Sequence, residues 1–242
     1  MYVSPEAAFY SRAATSVAAG ILVLYGCIVV RRRGEDVWSP RGKGGKKGEY
    51  DGPPLSLCRV YRENWRAYAT IGVVAHCLMA IRTARKAVVP LIGRSVGLGV
   101  DGIGLAMAAG ATTDAALFAP TGVAFDKLGR KRVAVPALAI FTLGYVFTSL
   151  SQGTVALVAA SLLVGVGNGM TAGFGQIMAA DTAPDPPNTA KFLSIQSMCS
   201  DSGSLQAPIV VGALSDMFGA TAGGFYCAGL SLWGLVWLAV LL

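Results

Sequence analysis

The sequence predicts an all-α, polytopic transmembrane helix bundle with seven spans. Of its 242 residues, 54% are hydrophobic and only 14% are charged, whereas soluble domains carry roughly 25% charged residues. The mean hydropathy is +0.57. The 31 glycines follow no three-residue period, so the composition excludes a collagen-like fold. A multi-pass helical membrane protein is the class that remains.

The first predicted span, 13–30, is a run without a charge that is just long enough for a hydrocarbon core about 30 Å thick. Three arginines follow it directly, where a signal peptide would have a small-residue cleavage site. We therefore predict a retained leading helix within residues 1–30. Residues 31–66 hold ten of the 20 basic residues and are rich in glycine and proline, which predicts a basic cytoplasmic loop.

Six further apolar segments predict a six-helix transmembrane repeat over residues 67–242. Short polar or proline- and glycine-rich stretches separate them. The predicted spans are 67–92, 97–121, 133–151, 155–180, 191–214 and 218–242.

The net charge of +7 is explained by the excess of lysine and arginine in cytoplasmic loops. Placing the loop 31–66 and a second basic group, 127–132, in the cytoplasm puts the N-terminus outside and the C-terminus inside. The lipid bilayer is then the main partner, and no nucleic acid is expected. The plasma membrane is the location we favour. The five cysteines are isolated, so the pattern indicates neither a disulfide framework nor a metal site, and no cofactor is expected.

The loop between the third and fourth spans carries the most specific motif. It reads Gly122-Val-Ala-Phe-Asp126-Lys127-Leu-Gly129-Arg130-Lys131-Arg132. Gly129 permits a tight reversal, the Asp126 carboxylate suits a neighbouring helix N-terminus, and the basic run holds the turn in the cytoplasm. This motif resembles the G-x-L-a-D-r-x-G-r-k-r signature of the major facilitator superfamily, with only its leucine replaced. The resemblance implies a gating loop formed by Gly122, Asp126, Gly129 and Arg130.

The wider pattern over 67–242 resembles the C-terminal repeat of drug-exporter-like facilitator proteins. It includes 82–91, 114–120, 165–169 and 180–184. This resemblance implies that 13–30 is the last helix of an N-terminal repeat whose other five spans are missing. The expected partner is that missing repeat or a second copy of the chain.

Ionisable residues within the spans are the best site candidates, because an unpaired charge near the bilayer centre costs several kcal/mol. Arg82, Arg85 and Lys86 share one helix face. Arg82 should lie about 22 Å from the cytoplasmic edge. This cationic face could attract an anionic substrate group or pair with a carboxylate. The alternative is that the long side chains reach the outer interface.

Asp114, Asn168 and Asp201 should lie near mid-bilayer, about 12, 18 and 15 Å from the cytoplasmic side. An aspartate there could carry a proton, with Asn168 setting its proton affinity. The alternative is interhelical hydrogen bonding that fixes packing. On this arithmetic Arg82 is not a direct partner of Asp114, because their depths differ by about 10 Å.

Three smaller features concern the packing and the shape of the helices. Gly165, Gly169 and Gly173 follow the small-xxx-small spacing that lets helix backbones touch. Pro208 could form a hinge in its helix or a tolerated kink. His76 has no companions for a metal site and should serve packing or hydrogen bonding.

Together these observations predict a secondary transporter that moves a small molecule by alternating access, with protons as one option for coupling. The alternative is a truncated, non-transporting membrane protein with a partner-binding or regulatory role. The sequence contains no catalytic constellation, so an enzyme is not expected.

Overall fold

The computed structural model describes residues 55–241. Within that range the chain forms eight helices and no strand. The helices are α1 (Leu57–Glu63), α2 (Trp65–Ser95), α3 (Val100–Leu128), α4 (Arg130–Ser149), α5 (Thr154–Met170), α6 (Phe174–Thr182), α7 (Thr189–Phe218) and α8 (Ala220–Leu241). Helix α3 packs against α5, α2 against α7, and α4 against both α5 and α8. The predicted all-α polytopic bundle is confirmed.

Five helices in the described range are long and apolar enough to cross a membrane, counting α5 with α6 as one. They lie at five of the six spans predicted for the repeat. The remaining predicted span, 191–214, lies within α7, whose 30 residues suffice in length but include several serines, two glutamines and three charged residues. The predicted leading helix, 1–30, lies outside the described residues.

Residues 31–54 of the predicted loop 31–66 lie outside the described residues, and its last part forms helix α1, which docks against the start of α7. The Leu55 amide donates a hydrogen bond to Asn188 Oδ1 at 3.1 Å, and Lys191 Nζ donates to the Leu55 carbonyl at 2.6 Å. Beneath these contacts, the Tyr68 ring stacks on Phe192 at 4.9 Å between centroids. Apolar burial therefore orders a segment that composition alone assigned to a loop.

Helices α3 and α5 approach closely through glycines. A Cβ atom on Gly165 would overlap the Gly110 carbonyl, and one on Gly169 would lie 2.9 Å from the Asp114 carbonyl oxygen. The predicted packing role is therefore confirmed for these two residues. Gly173 differs, because its φ of +73° ends the helix before α6 begins.

Helix α7 packs on α2 through Gly203, where a Cβ atom would overlap the His76 carbonyl. His76 Nδ1 lies 2.9 Å from Ser202 Oγ, which fits the predicted hydrogen-bonding role. Helix α7 continues through Pro208 without interruption. The break in the described bundle instead falls at 171–173, between α5 and α6.

Replacing Gly203 by alanine should destabilise the bundle, because the added methyl group meets the α2 backbone rather than a movable side chain. We expect Gly203→Ala to lower the free energy of unfolding by about 1–3 kcal/mol. Gly212→Ala is the matched control on the same helix, since nothing lies within 4 Å of its Cβ position. Thermal unfolding of both variants in lipid nanodiscs measures the difference, and equal midpoints would contradict the close packing at Gly203.

Candidate functional site

Three of the predicted site residues form one hydrogen-bonded chain across three helices. Arg82 Nε on α2 donates to Asn168 Oδ1 on α5 at 2.5 Å, and Arg82 Nη2 donates to the Asn168 carbonyl at 3.2 Å. Asn168 Nδ2 in turn donates to the Asp114 carboxylate on α3. Asn168 therefore links a guanidinium and a carboxylate that balance each other's charge.

This hydrogen-bonded chain, the Arg82–Asn168–Asp114 bridge, corrects the separation in depth that was calculated from residue counting. Residue counting separated Arg82 from Asp114 by about 10 Å, because it treats helices as straight rods normal to the bilayer. Spanning helices tilt by about 20° on average, and an arginine side chain reaches well beyond its own turn. The two residues do not pair directly, as expected, but the amide of Asn168 joins them.

Glycine packing positions this bridge. Asn168 lies beside Gly169, whose missing side chain lets α5 rest on the backbone of α3 at Asp114. The Asn168 amide is consequently held within hydrogen-bonding reach of the Asp114 carboxylate. A bulkier residue at 169 would separate the two helices and with them the two side chains.

Arg85 does not join the bridge. It is half-buried, and its Nη1 atom is buried without a hydrogen-bond partner among residues 55–241. Lys86, the third residue of the predicted cationic face, is exposed. The face therefore divides into one paired, one partly buried and one exposed cation.

A cavity of about 330 Å³ lies beside the bridge, between α2, α6 and α7. Its charged lining residues are Arg82 and Asp201, which the sequence had placed on different helices without relating them. Asp201 is exposed. Apolar residues of α2, α6 and α7 also line it, together with five uncharged polar side chains, which are Thr171, Gln176, Gln196, Ser197 and Ser200.

The sequence analysis missed Gln176 and Gln196. Gln196 and Ser200 are four residues apart on α7 and both line the cavity, so a search for polar residues at helical spacing within the least apolar span could have found Gln196. Gln176 follows the break at Gly173 and gives no such pattern. Among residues 55–241, no three histidine, cysteine, aspartate or glutamate side chains lie together as a metal site would require.

The predicted gating loop is a tight connection between α3 and α4. Gly129 has a φ of +89°, the left-handed region that favours glycine, so the predicted reversal is present. Arg130 Nε lies 2.9 Å from the Asp181 carboxylate at the end of α6. Gly122 and Asp126 are exposed. The sequence analysis did not identify Asp181 as the partner of Arg130.

Comparison with known proteins identifies the relatives of this sequence. The profile of the Major Facilitator Superfamily matches residues 71–242. A major facilitator superfamily multidrug transporter, mfsC of Aspergillus fumigatus, is 28% identical over 130 residues. This alignment covers 54% of the present chain and 25% of the relative. The chain therefore matches about a quarter of the length of that transporter.

The bridge predicts a measurable coupling between Asn168 and Asp114. We expect the double variant Asn168→Ala/Asp114→Ala to deviate from additivity by about 0.5–3 kcal/mol in unfolding free energy, because residues in one hydrogen-bond network are coupled. Asp101 lies exposed in the first turn of α3, 13 residues before Asp114. The control cycle of Asn168→Ala with Asp101→Ala should therefore be additive within about 0.5 kcal/mol. Equal coupling in both cycles would contradict the bridge.

Proposed function

Because this chain belongs to the Major Facilitator Superfamily, a family of membrane transporters rather than enzymes, we propose that it moves a small molecule across the bilayer by alternating access. The chain is an integral, multi-pass membrane protein. Membrane transport in general follows from the family. The substrate, the rocking mechanism and the coupling ion are parts of the proposal.

The observation that carries the proposal is the cavity lined by Arg82 and Asp201. Charged residues in a spanning segment are costly unless they are paired or hydrated, and they mark substrate or ion pathways. A cavity of about 330 Å³ is at the lower end of small-molecule sites. Helices from a second repeat would enlarge it.

The charged residues divide into the Arg82–Asn168–Asp114 bridge, the Asp201 carboxylate and the Arg85 guanidinium. Arg82 and Asp114 balance each other through Asn168, so this group positions α2, α3 and α5 around the pathway. Asp201 lies in the cavity and forms no ion pair within the described range. If transport is coupled to protons, Asp201 is the carboxylate that carries them. Arg85, whose Nη1 atom has no hydrogen-bond partner among residues 55–241, remains a second cation for an anionic part of the substrate.

A second facilitator repeat completes the proposed pathway. Facilitator proteins form their cavity between two bundles that rock against each other. The second repeat is either further sequence of the same polypeptide or another copy of this chain. In the proposed orientation the N-terminus is outside, the C-terminus is cytoplasmic, and the basic groups 31–66 and 127–132 share the cytoplasm.

The loop between α3 and α4 is proposed to control the cytoplasmic side of this pathway. The Arg130–Asp181 ion pair ties the start of α4 to the end of α6. Asp126 is exposed on the same turn, where it can meet a helix of the second repeat. Both contacts would have to break when the cytoplasmic side opens.

Transport in sealed vesicles tests the proposal, with rhodamine 6G as the amphiphilic probe. We expect saturable uptake when each vesicle holds many copies of the chain and none at one copy per vesicle. Asp201→Asn should lower the rate by about tenfold or more, equivalent to ~1.4 kcal/mol, because the cavity loses its free carboxylate. Asp101→Asn, which removes an exposed charge elsewhere, should leave the rate unchanged. Equal rates for both variants would contradict the proposed role of the cavity, and absence of saturable uptake at high density would exclude another copy of this chain as the second repeat.

Asp126 should affect the balance of conformations rather than substrate binding. We expect Asp126→Asn to shift the equilibrium between inward-open and outward-open states by about 1–3 kcal/mol, with intrinsic affinity in the competent state almost unchanged. State-specific cysteine accessibility and equilibrium probe binding on the same variant measure the two quantities. Asp101→Asn at the opposite end of α3 is the control. Loss of binding in a protein that still samples both states would place Asp126 in the substrate site instead.

A further inference from the structure

Helix α1 carries an exposed apolar surface next to the start of α2. Leu57 and Tyr61 are 55% and 53% exposed, and Cys58 is also exposed. At roughly 100° per residue, these three side chains lie within a sector of about 100° on the helix. Trp65, the first residue of α2, follows one turn after Tyr61 and is 37% exposed. These four side chains form one surface, which we call the α1 apolar surface.

The other sides of α1 face the protein or carry charges. Val60 is fully buried against α2 and α7. Arg59 and Glu63 form an exposed ion pair at 2.9 Å, and Arg62 is exposed without an ion pair among residues 55–241. With Arg66 at the start of α2, three arginines accompany one glutamate, so the charged side is cationic. Separate apolar and arginine-rich sides are typical of a helix that lies at a bilayer interface.

The packing of α1 holds these sides at the level of the lipid headgroups. Helix α2 has 31 residues, a length of about 46 Å, whereas a bilayer with its headgroup regions is about 40–45 Å thick. The start of α2 at Trp65 therefore lies in the headgroup region. Both ends of α1 remain at this level. Leu55 hydrogen-bonds to Asn188 just before α7, and the Val60 side chain packs in one cluster with Phe192 in the first turn of α7.

We propose that α1 is a docking surface for the anionic phospholipids of the bilayer that surrounds the chain. The α1 apolar surface packs among the upper acyl chains, a level at which tyrosine and tryptophan are enriched in membrane proteins. Arg62 and the neighbouring arginines meet the phosphate groups, because cations near a membrane surface attract anionic headgroups. Water would leave the apolar surface unburied, whereas a lipid interface supplies an apolar layer and a phosphate layer to the same short helix. This interaction goes beyond the proposed transport and depends only on membrane insertion.

Fluorescence quenching of a bimane label on Cys58 tests this docking in the full chain. Cys27 and Cys199 are replaced by serine, whereas Cys77 and Cys227 are buried and are kept. The chain is reconstituted in vesicles of phosphatidylcholine and phosphatidylglycerol. We expect lipids with a doxyl quencher on the acyl chain to quench the label strongly and aqueous iodide to quench it weakly. Strong quenching by iodide would overturn the proposal, and so would weak quenching by both, which would mean that a protein segment covers the surface.

The matched control carries the label on the charged side of the same helix. Glu63→Cys in a Cys58→Ser chain moves the label by about 140° around the helix. We expect the preference to reverse there, so that iodide quenches the label more strongly than the doxyl lipid does. Equal ratios of lipid to iodide quenching at the two positions would overturn the assignment of the apolar side to lipid.

The charge of the headgroup is tested with doxyl-labelled phosphatidylglycerol and phosphatidylcholine at equal mole fractions. We expect the anionic lipid to associate about fivefold more strongly at Cys58, equivalent to ~1 kcal/mol for one arginine near the membrane surface. Arg62→Gln should remove most of this preference, whereas Lys127→Gln, which removes an exposed cation of the α3–α4 loop, should leave it unchanged. Equal association of both lipids, or the same response to both substitutions, would overturn the proposal. Quenching is measured without transport, so failure here is distinct from failure of the proposed function.

Discussion

The close contact between α3 and α5 is the constraint on which the described bundle depends. Lipid tails are as apolar as leucine, so no hydrophobic force draws two spanning helices together, and association depends on packing and interhelical hydrogen bonds. Gly110, Gly165 and Gly169 let the two backbones meet. That approach places the Asn168 amide at the Asp114 carboxylate. The Arg82–Asn168–Asp114 bridge therefore depends on glycine at these three positions.

The helices themselves could be predicted because hydropathy and length determine what can span a bilayer. Five predicted spans coincide with helices that meet both requirements. Helix α1 could not be predicted, because it is stabilised by burial of Val60 against Tyr68 and Phe192. Tyr68 lies on α2 and Phe192 on α7, so the local sequence does not reveal these contacts. At Pro208 the sequence left open a hinge or a tolerated kink, and helix α7 continues through it, whereas the break in the described bundle lies at Gly173. Proline within a spanning helix is tolerated, whereas a positive φ ends it.

Only part of the candidate site could be predicted from the sequence. Individual ionisable residues stand out from an apolar background, so Arg82, Asp114 and Asp201 could be identified one by one. Their connections could not, because Asn168 joins Arg82 across 86 residues of sequence and residue counting gives depth without tilt. Gln196 was missed because an uncharged amide gives a weak signal in sequence. It becomes conspicuous only when its burial and its lack of hydrogen-bond partners within the described residues are known.

The interruption at Gly173 makes α6 a short rigid segment that can rotate about that residue. Its nine residues extend about 13 Å from the positive-φ joint to Asp181, which contacts Arg130 at 2.9 Å. A swivel of only about 10° at the joint would carry the far end by roughly 2 Å over that length, enough to separate the two charges. The arm also bears Gln176 on the cavity wall. A displacement of Gln176 inside the cavity would therefore produce a larger displacement of Asp181 at the far end of α6.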